Sequence, residues 1–297
     1  MTYDIIVIGG GPAGVSCSIY TSRYKLKTLM LYEPGGGTLV TAPWIHNYAG
    51  VKEISGVELQ QDFLKQAKKS GVEIKEEVVE KIEKTKIGFK VYCAEKFYES
   101  KSLVIATGVR HKQLGLKDEE KFLGKGVSYC FLCDGAMFSK KEVAVVGGAN
   151  SAVAAALNLS ELTKKVYLIY RGDKLKGEGI EVDKLLKRKK VEIIYNSNIQ
   201  KLKGNNFLES VVLDSGKEIK VKGLFIEVGF VPVSSLLNNL KVKTEKGFIK
   251  VDDEQKTNIK GIFAAGDITS KSKVKQVSVA VGEGAVAGVS AYNYLKK

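Results

Sequence analysis

The sequence has little arginine, proline or histidine: of 297 residues, four are arginine, four are proline and two are histidine. Lysine therefore carries nearly all of the positive charge, and 47 Lys+Arg against 33 Asp+Glu give a formal net charge of +14. Sequence-specific nucleic-acid readers rely on the bidentate arginine fork, so that class is excluded. The basic surface is either simply solvated, as in thermophilic proteins, or a docking surface for an acidic protein partner. Non-specific nucleic-acid binding is the remaining interpretation.

Long apolar runs are also missing, and no segment approaches the ~18–20 residues that span a bilayer. Neither a basic nor an apolar leader segment precedes the first strand pattern, which begins at Tyr3. We therefore expect no secretory signal, no membrane partner and a cytoplasmic location. A hydrophobic content of 44% with 27% charged residues is typical of a globular protein. At roughly 150 residues per domain, the length predicts two domains.

Cysteine is scarce, and its four residues are of two kinds. Cys17 and Cys93 lie within apolar patterns, which predicts buried thiols that act as small hydrophobic groups. Cys130 and Cys133 form a Cys-Phe-Leu-Cys segment. Zinc would need two further ligands, and the other cysteines belong to separate elements, so we expect no metal site. A redox-active pair and an inert disulfide remain as interpretations of the segment.

An internal repeat organises the chain. Residues 4–33 align without a gap over residues 142–171, at an offset of 138. Each copy opens with an acidic residue and an apolar run, makes a glycine turn, continues with small residues at helical spacing and closes on a second apolar run. Short continuous apolar runs are typical of buried parallel strands. The repeat therefore predicts a βαβ unit that is used twice.

The glycines of the first copy fit a dinucleotide site. Gly9 would make the strand-to-helix turn, Gly11 would let the backbone approach a diphosphate, and Gly14 would let the helix pack on the strand. The diphosphate then lies at the helix N-terminus, where free N–H groups favour negative charge. Glu33 ends the second strand, where a carboxylate can accept hydrogen bonds from ribose hydroxyls. We predict nucleotide binding here.

The second copy departs from this pattern. Gly147 and Gly148 are present, but Ala149 and Ala152 replace the second and third glycines. The methyl group of Ala149 lies where phosphates would approach. Arg171 is in register with Glu33 and either pairs with a nucleotide 2′-phosphate or is an ordinary surface arginine.

These patterns predict an α/β protein of two Rossmann-like, three-layer dinucleotide-binding domains, the second inserted into the first. A discontinuous domain would comprise 1–113 and 233–297, and the inserted domain 114–232 would carry the cysteine pair. The return to the first domain is indicated by an apolar strand that ends in Gly266-Asp267, followed by a helix of small residues from about 276 to 295.

With the Cys-x-x-Cys-Asp-Gly segment inside the inserted unit, the chain resembles the low-molecular-weight thioredoxin reductases over essentially its whole length. The motifs that carry the resemblance are residues 9–14, 35–39, 106–108, 130–135, 261–267 and 275–277. The resemblance implies a homodimeric flavoenzyme that uses FAD as the relay and usually NADPH as the donor to reduce a thioredoxin-type protein disulfide.

The resemblance also implies roles for residues. Cys133 would face the flavin, Cys130 would be the thiol that attacks the partner disulfide, and Asp134 would be a proton donor, a role compatible with capping a helix. FAD contacts are expected at Gly9, Gly11, Pro12, Ala13, Gly14, Glu33, Gly36, Gly37, Thr38, Asn47, Val79, Thr107, Gly108, Gly266, Asp267, Gln276 and Val277. NADP contacts are expected at Gly147, Gly148, Asn150, Ser151, Ala152, Arg171 and Lys176.

Several departures from the family pattern concern the donor site. Besides Ala149, the residues at 170–172 are Tyr-Arg-Gly instead of His-Arg-Arg, and an alanine pair at 154–155 replaces two glutamates. Thr38 replaces the usual glutamine near the flavin. The hypothesis is that NADPH binds weakly or that another donor, such as the acidic carrier ferredoxin, supplies electrons. The alternatives are a disulfide reductase with another protein substrate, a flavin oxidoreductase of the ferredoxin–NADP type, and a non-catalytic basic nucleotide-binding protein.

Overall fold

The computed structural model describes residues 2–35, 37–40, 42, 45, 47–272 and 274–296, apart from the side chains of Cys133 and Ser235. The chain divides into two compact units: unit 1 comprises Met1–Arg110 and Val231–Lys297, and unit 2 comprises His111–Phe230. The boundaries expected from the sequence, 113/114 and 232/233, lie within three residues of this division. Unit 2 is thus an insertion in the sequence of unit 1.

The strands, in chain order, are β1 (Thr2–Ile8), β2 (Thr28–Tyr32), β3 (Glu73–Glu76), β4 (Lys81–Lys84), β5 (Phe89–Cys93), β6 (Lys96–Ile105), β7 (Val109–His111), β8 (Val127–Ser128), β9 (Glu142–Val146), β10 (Lys165–Ile169), β11 (Val191–Ile194), β12 (Ile199–Lys203), β13 (Ser210–Leu213), β14 (Glu218–Lys220), β15 (Gly223–Ile226), β16 (Phe230–Pro232), β17 (Thr244–Glu245), β18 (Phe248–Ile249) and β19 (Ile262–Ala264). The helices are α1 (Pro12–Arg23), α2 (Gly56–Lys69), α3 (Glu119–Phe122), α4 (Phe131–Asp134), α5 (Asn150–Leu162), α6 (Gly179–Leu186) and α7 (Val277–Leu295), with 3-10 helices at Gly135–Phe138 and Ser235–Leu240. None of the helices in the described ranges is both long and apolar enough to cross a membrane.

Unit 1 is built on a mixed sheet in the order β3-β2-β1-β6-β5-β4, with β19 paired to the C-terminal part of β6. β3, β2, β1, β6 and β19 are parallel, whereas β4, β5 and the N-terminal part of β6 form an antiparallel meander. One face of the sheet packs against α1, α2 and α7. The other face packs against the segment from Leu236 to Val251. The sheet is therefore the middle of three layers.

Unit 2 contains a fully parallel sheet in the order β11-β10-β9-β15-β8. Its first face is covered by α5, by Leu185 of α6 and by Phe138 of the 3-10 helix. Its second face is covered by the antiparallel sheet β12-β13-β14, through residues such as Leu202 and Val211. This unit is also three-layered, but one outer layer is a sheet.

The two copies of the repeat adopt the same βαβ structure. β1 pairs in parallel with β2 from Ile5↔Thr28, and β9 pairs in parallel with β10 from Lys165↔Glu142. The apolar runs form central strands because both faces of each sheet are covered. The predicted pair of Rossmann-like domains is confirmed. The second strand of the later copy ends at Ile169.

Candidate functional site

The carboxyl ends of the parallel strands in unit 1 bring together most of the residues predicted to contact a flavin nucleotide. β1 is followed by Gly9, β2 by Glu33, β6 by Thr107, and β19 by Gly266 and Asp267. Ligands of open α/β sheets bind at this edge. Val79, which follows β3, is buried in the core on the face of the sheet that packs against the segment from Leu236 to Val251. Gly36 lies outside the described residues.

The glycine turn of unit 1 requires glycine at two of its positions. Gly9 has a φ of +119°, and a Cβ built there would overlap the carbonyl oxygen of Ala106. A Cβ at Gly14 would overlap the carbonyl oxygen of Gly9. At Gly11, in contrast, a Cβ would meet no atom within 4 Å, so the turn is open toward the side from which a ligand approaches. No described side chain caps the N-terminus of α1, which leaves its first N–H groups available to an anion.

Helices α1 and α7 touch backbone to backbone. A Cβ at Gly284 would overlap the carbonyl oxygen of Ala13, and a Cβ at Gly288 would lie 3.0 Å from that of Cys17. The Ser16 hydroxyl donates a hydrogen bond to the carbonyl oxygen of Val281 (2.8 Å). These contacts hold α1 and α7 together within unit 1.

Two half-buried carboxyl groups, those of Asp267 and Glu283, lie where β19 meets α7. The Gly266 N–H donates to Oε2 of Glu283 (2.7 Å), and Nζ of Lys275 donates to the carbonyl oxygen of Asp267 (2.8 Å). Burial raises the pKa of both Asp267 and Glu283, and Lys275 opposes this effect at each. Glu283 was not among the residues predicted from the sequence. A single acid within a helix of small and apolar residues was the available signal.

The loop after β2 reaches the start of α7. Nδ2 of Asn47 donates to Oε1 of Gln276 (3.0 Å), and Gln276 is the N-cap residue of α7. Thr38 is half-buried and has an interaction partner, and Gly37 is exposed. Glu33 is exposed and pairs with Nη2 of Arg110 (2.9 Å). The structure therefore places these predicted residues around the same sheet edge.

The glycine turn of unit 2 repeats this geometry with a different neighbour. Gly147 has a φ of +144°, and a Cβ there would overlap the carbonyl oxygen of Glu227, the residue that follows β15. α5 begins at Asn150 with Ala149 as its N-cap residue, and no described side chain caps it. Ala152 is fully buried against the turn.

A loop after β10 crosses the turn of unit 2. The Lys176 N–H donates to the carbonyl oxygen of Gly148 (2.7 Å), and the Glu178 N–H donates to Oδ1 of Asn150 (2.7 Å). The side chain of Asn150 is therefore occupied by the protein itself. Lys176 and Arg171 are exposed beside the turn. The predicted nucleotide residues of unit 2 thus lie together.

The cysteine segment lies in unit 2: Cys130 comes after β8, and Cys133 is within the four-residue helix α4. Cys130 is disulfide-bonded; the side chain of Cys133 lies outside the described part of the chain. The Cys130 N–H donates to Oγ of Ser128 (2.9 Å), and the Asp134 N–H donates to the carbonyl oxygen of Cys130 (3.1 Å). Asp134 precedes the 3-10 helix, but its carboxyl makes no capping hydrogen bond within the described residues.

The other two cysteines are chemically quiet. Cys17 and Cys93 are free and buried in the core of unit 1, as predicted. Burial raises the pKa of the Cys17 thiol far above its ordinary value, and burial, with Glu77 adding to it, raises the pKa of Cys93 to about 12. Such thiols stay protonated at neutral pH and are poor nucleophiles. Among the described side chains, no group of three or more His, Cys, Asp or Glu could hold a metal ion.

Comparison with known proteins connects these features. Residues 3–284 match the family model described as pyridine nucleotide-disulphide oxidoreductase. A thioredoxin reductase of Listeria monocytogenes is 39% identical over 99% of this chain and 94% of its own length, and one of Bacillus subtilis is 36% identical over 99% and 95%.

Solved structures agree with the sequence relatives. The thioredoxin reductase of Lactococcus lactis is 37% identical and superimposes with a TM-score of 0.95 over 99% of both chains. Two solved structures of a ferredoxin-flavin thioredoxin reductase from Clostridium acetobutylicum are each 32% identical to this chain. Their TM-scores are 0.56 and 0.55, and the matches cover 100% of this chain and 98% and 99% of the solved chains. The chain therefore belongs to the pyridine nucleotide-disulphide oxidoreductase family, among its thioredoxin reductases, which contain FAD and depend on NADPH.

Proposed function

We propose that this chain reduces the disulfide of a thioredoxin-type protein, with FAD held by unit 1 and Cys130 and Cys133 as the exchanging pair. The observation that carries the proposal is that Cys130 is disulfide-bonded, whereas Cys17 and Cys93 are free and buried. Among the cysteine side chains that the structure describes, Cys130 is the one that is oxidised and only half-buried. A homodimer in the cytoplasm is part of the same proposal and rests on family resemblance.

The residues of unit 1 fit a flavin dinucleotide. The open approach at Gly11 and the uncapped N-terminus of α1 suit a diphosphate. Glu33 suits ribose hydroxyls, and Asp267 suits a polyol chain over the sheet edge. The N-terminus of α7, behind Gln276, favours negative charge near a flavin ring. Bound there, FAD would supply two-electron transfer from the donor to the disulfide.

The chain's own chemistry is thiol–disulfide exchange. The Cys130 thiolate attacks one sulfur of the partner disulfide and forms a mixed disulfide, and one partner sulfur leaves as a thiol. The Cys133 thiolate then attacks Cys130, which re-forms the internal disulfide and releases the second partner thiol. Two electrons and two protons pass to the partner in total. Asp134, half-buried beside the pair, is the proposed proton donor.

Glu33 offers a test of the flavin site. Glu33→Ala removes a charged acceptor whose hydrogen bonds are worth ~1.5–3 kcal/mol, so the Kd for FAD should rise about 10- to 100-fold. Fluorescence titration of deflavinated protein measures this constant. Arg110→Ala is the matched control, because it breaks the same exposed ion pair, which contributes ~0–1 kcal/mol to stability. Equal weakening by both variants would show that Glu33 acts only through the pair.

Anaerobic titration of the yellow protein tests the overall function. NADPH, NADH and a reduced ferredoxin are added in turn while the visible flavin absorbance is followed, and oxidised thioredoxin is then added. We expect NADPH to bleach the flavin, thioredoxin to restore the colour, and two new thiols to appear per thioredoxin. A flavin that bleaches but is not reoxidised by thioredoxin would overturn the proposed substrate class.

A second candidate donor is an acidic electron carrier. The observations that favour it are the alanine at 149, the carboxyl group of Glu227 at the turn of unit 2 and the net charge of +14. The Clostridium acetobutylicum relative is described as a ferredoxin-flavin enzyme. Faster bleaching by reduced ferredoxin than by NADPH, with a strong dependence on ionic strength, would favour this candidate. Rapid bleaching at micromolar NADPH removes it.

A further inference from the structure

The two glycine turns differ at the residue that each first glycine contacts. In unit 1 that residue is Ala106, directly after β6. In unit 2 it is Glu227, directly after β15, whose N–H donates to the carbonyl oxygen of Val146 (2.8 Å). The backbone contact is the same in both, since a Cβ on either glycine would overlap the facing carbonyl oxygen. Glu227 therefore places a carboxyl side chain where the first copy has only a methyl group.

The Glu227 carboxyl is inside the protein, with the residue only 4% exposed. Its hydrogen-bond partner is the Ser151 side chain, in the first turn of α5. Burial raises the pKa of this carboxyl to about 7, and the Ser151 hydrogen bond opposes the shift. Near neutral pH the group is therefore present both as the neutral acid and as the carboxylate.

The elements around Glu227 offer little to neutralise it. β9 ends at Val146 and is followed by Gly147, and residues 150–153 in the first turn of α5 include neither a basic nor an acidic residue. The loop across the turn carries Lys176 and Glu178, both exposed and of opposite charge. After β8, Tyr129 donates its hydroxyl hydrogen bond to Glu119, and Cys130 is in a disulfide.

We propose that Glu227 is the residue that limits pyridine-nucleotide affinity in unit 2, because its carboxylate holds the Ser151 hydroxyl and sets a negative charge at the helix end that a diphosphate uses. Ser151 is one of the residues from which the sequence predicts a nucleotide contact. Apart from the methyl group of Ala149, other features of the turn fit a nucleotide: the tight turn at Gly147, an α5 that no described side chain caps, and two exposed cations. The proposal deepens the proposed function, on which it rests for the identity of the donor.

Charge repulsion between the diphosphate and the Glu227 carboxylate should couple nucleotide binding to proton uptake. A diphosphate bound at α5 disfavours the carboxylate, so its binding above about pH 7 should draw a proton onto Glu227. A side chain with a purely structural role would take up no proton. NAD⁺ suits this measurement, because it lacks the 2′-phosphate, whose second ionisation near pH 6 would add its own proton.

The experiment compares the flavin-loaded wild type with E227Q, which keeps the shape and loses the charge. Isothermal titration with NAD⁺ and with NADP⁺, in two buffers of different ionisation enthalpy, gives the Kd and the number of protons taken up. We expect E227Q to bind each nucleotide about tenfold more tightly at about pH 8.5, as removal of one nearby charge predicts. The two proteins should converge at about pH 5.5, where the wild-type carboxyl is neutral. Proton uptake on NAD⁺ binding should vanish in E227Q.

Glu218→Gln is the matched control, since it removes the same charge from an exposed position on β14 of the same unit. Glu218→Gln should change neither the Kd for the nucleotides nor the number of protons taken up. E227A, which copies the alanine of unit 1, should also bind more tightly if it is folded, and thermal melting at each pH verifies folding. An unchanged Kd in folded E227Q at about pH 8.5, or equal proton uptake in both proteins, would overturn the proposal. Because binding is measured without turnover, tight binding by a variant that reduces no disulfide would instead reject the proposed function.

Discussion

Cys130→Ser is expected to abolish reduction of thioredoxin-type disulfides, with a loss of about 10³-fold or more, while the protein stays yellow and its flavin still accepts electrons from the donor. A serine hydroxyl is neither a thiolate nor able to form a disulfide, so the mixed-disulfide step has no nucleophile. Loss of a covalent nucleophile typically has an effect of this size. Thiol release from oxidised thioredoxin measures disulfide reduction, and flavin absorbance in the same sample measures electron transfer from the donor.

Cys17→Ala and Cys93→Ala are the controls for this variant. Both residues are free and buried, and neither thiol ionises at neutral pH. Each should retain disulfide reduction, with a modest loss of stability from the smaller side chain. Comparable inactivation by all three substitutions would show that activity follows stability instead of the 130–133 pair. Full activity in Cys130→Ser would require a flavin reaction that bypasses the pair.

Gly284→Ala is expected to lower the melting temperature and to release FAD. The added methyl group would overlap the carbonyl oxygen of Ala13, which is backbone and cannot change rotamer, so α7 must move away from α1. Overpacking of this kind costs ~1–3 kcal/mol, and for a unit of this size each kcal/mol lowers the melting temperature by about 2–4 °C. We expect a decrease of about 5–10 °C and faster loss of FAD on dilution, followed by fluorescence.

Gly282→Ala tests whether helix geometry alone explains the effect. Gly282 lies on the same helix, is exposed, and a Cβ there would meet no atom within 4 Å. Alanine is favoured over glycine in a helix by ~1 kcal/mol, so this variant should be unchanged or more stable. If Gly284→Ala were equally harmless, the backbone contact between α1 and α7 would not support the flavin site.

Local sequence pattern predicted much of this molecule. Three features could be predicted, because strand burial and tight turns restrict residue type at short range: the apolar runs of the repeat, the Gly9–Gly14 turn and the acid at Glu33. The helix of small residues was located to within one residue of α7. Cys17 and Cys93 were identified as core thiols from their apolar neighbours.

What the sequence could not show depends on contacts between distant residues. Glu227 is far from Ser151 in the chain, and nothing in its own segment indicates that its carboxyl lies against another helix. Glu283 is paired with the N–H of Gly266 only after α7 packs against β19. Arg110, which pairs with Glu33, likewise belongs to a later strand, β7. Asp134 suggested a cap, but the short α4 runs directly into a 3-10 helix and leaves the carboxyl unused there.

The insertion of one unit within the other also sets an order of folding during synthesis. Every strand of the parallel sheet in unit 2 lies between residues 127 and 226, so this unit has all of its partners as soon as it emerges. In unit 1, β6 cannot complete its pairing until β19 is made, since Leu103 pairs with Ile262. Likewise, α1 cannot pack against α7 until α7 is made. Contacts of such long sequence separation form late. The nascent chain therefore holds an incomplete unit 1, with the apolar face of α1 uncovered, until α7 has been made.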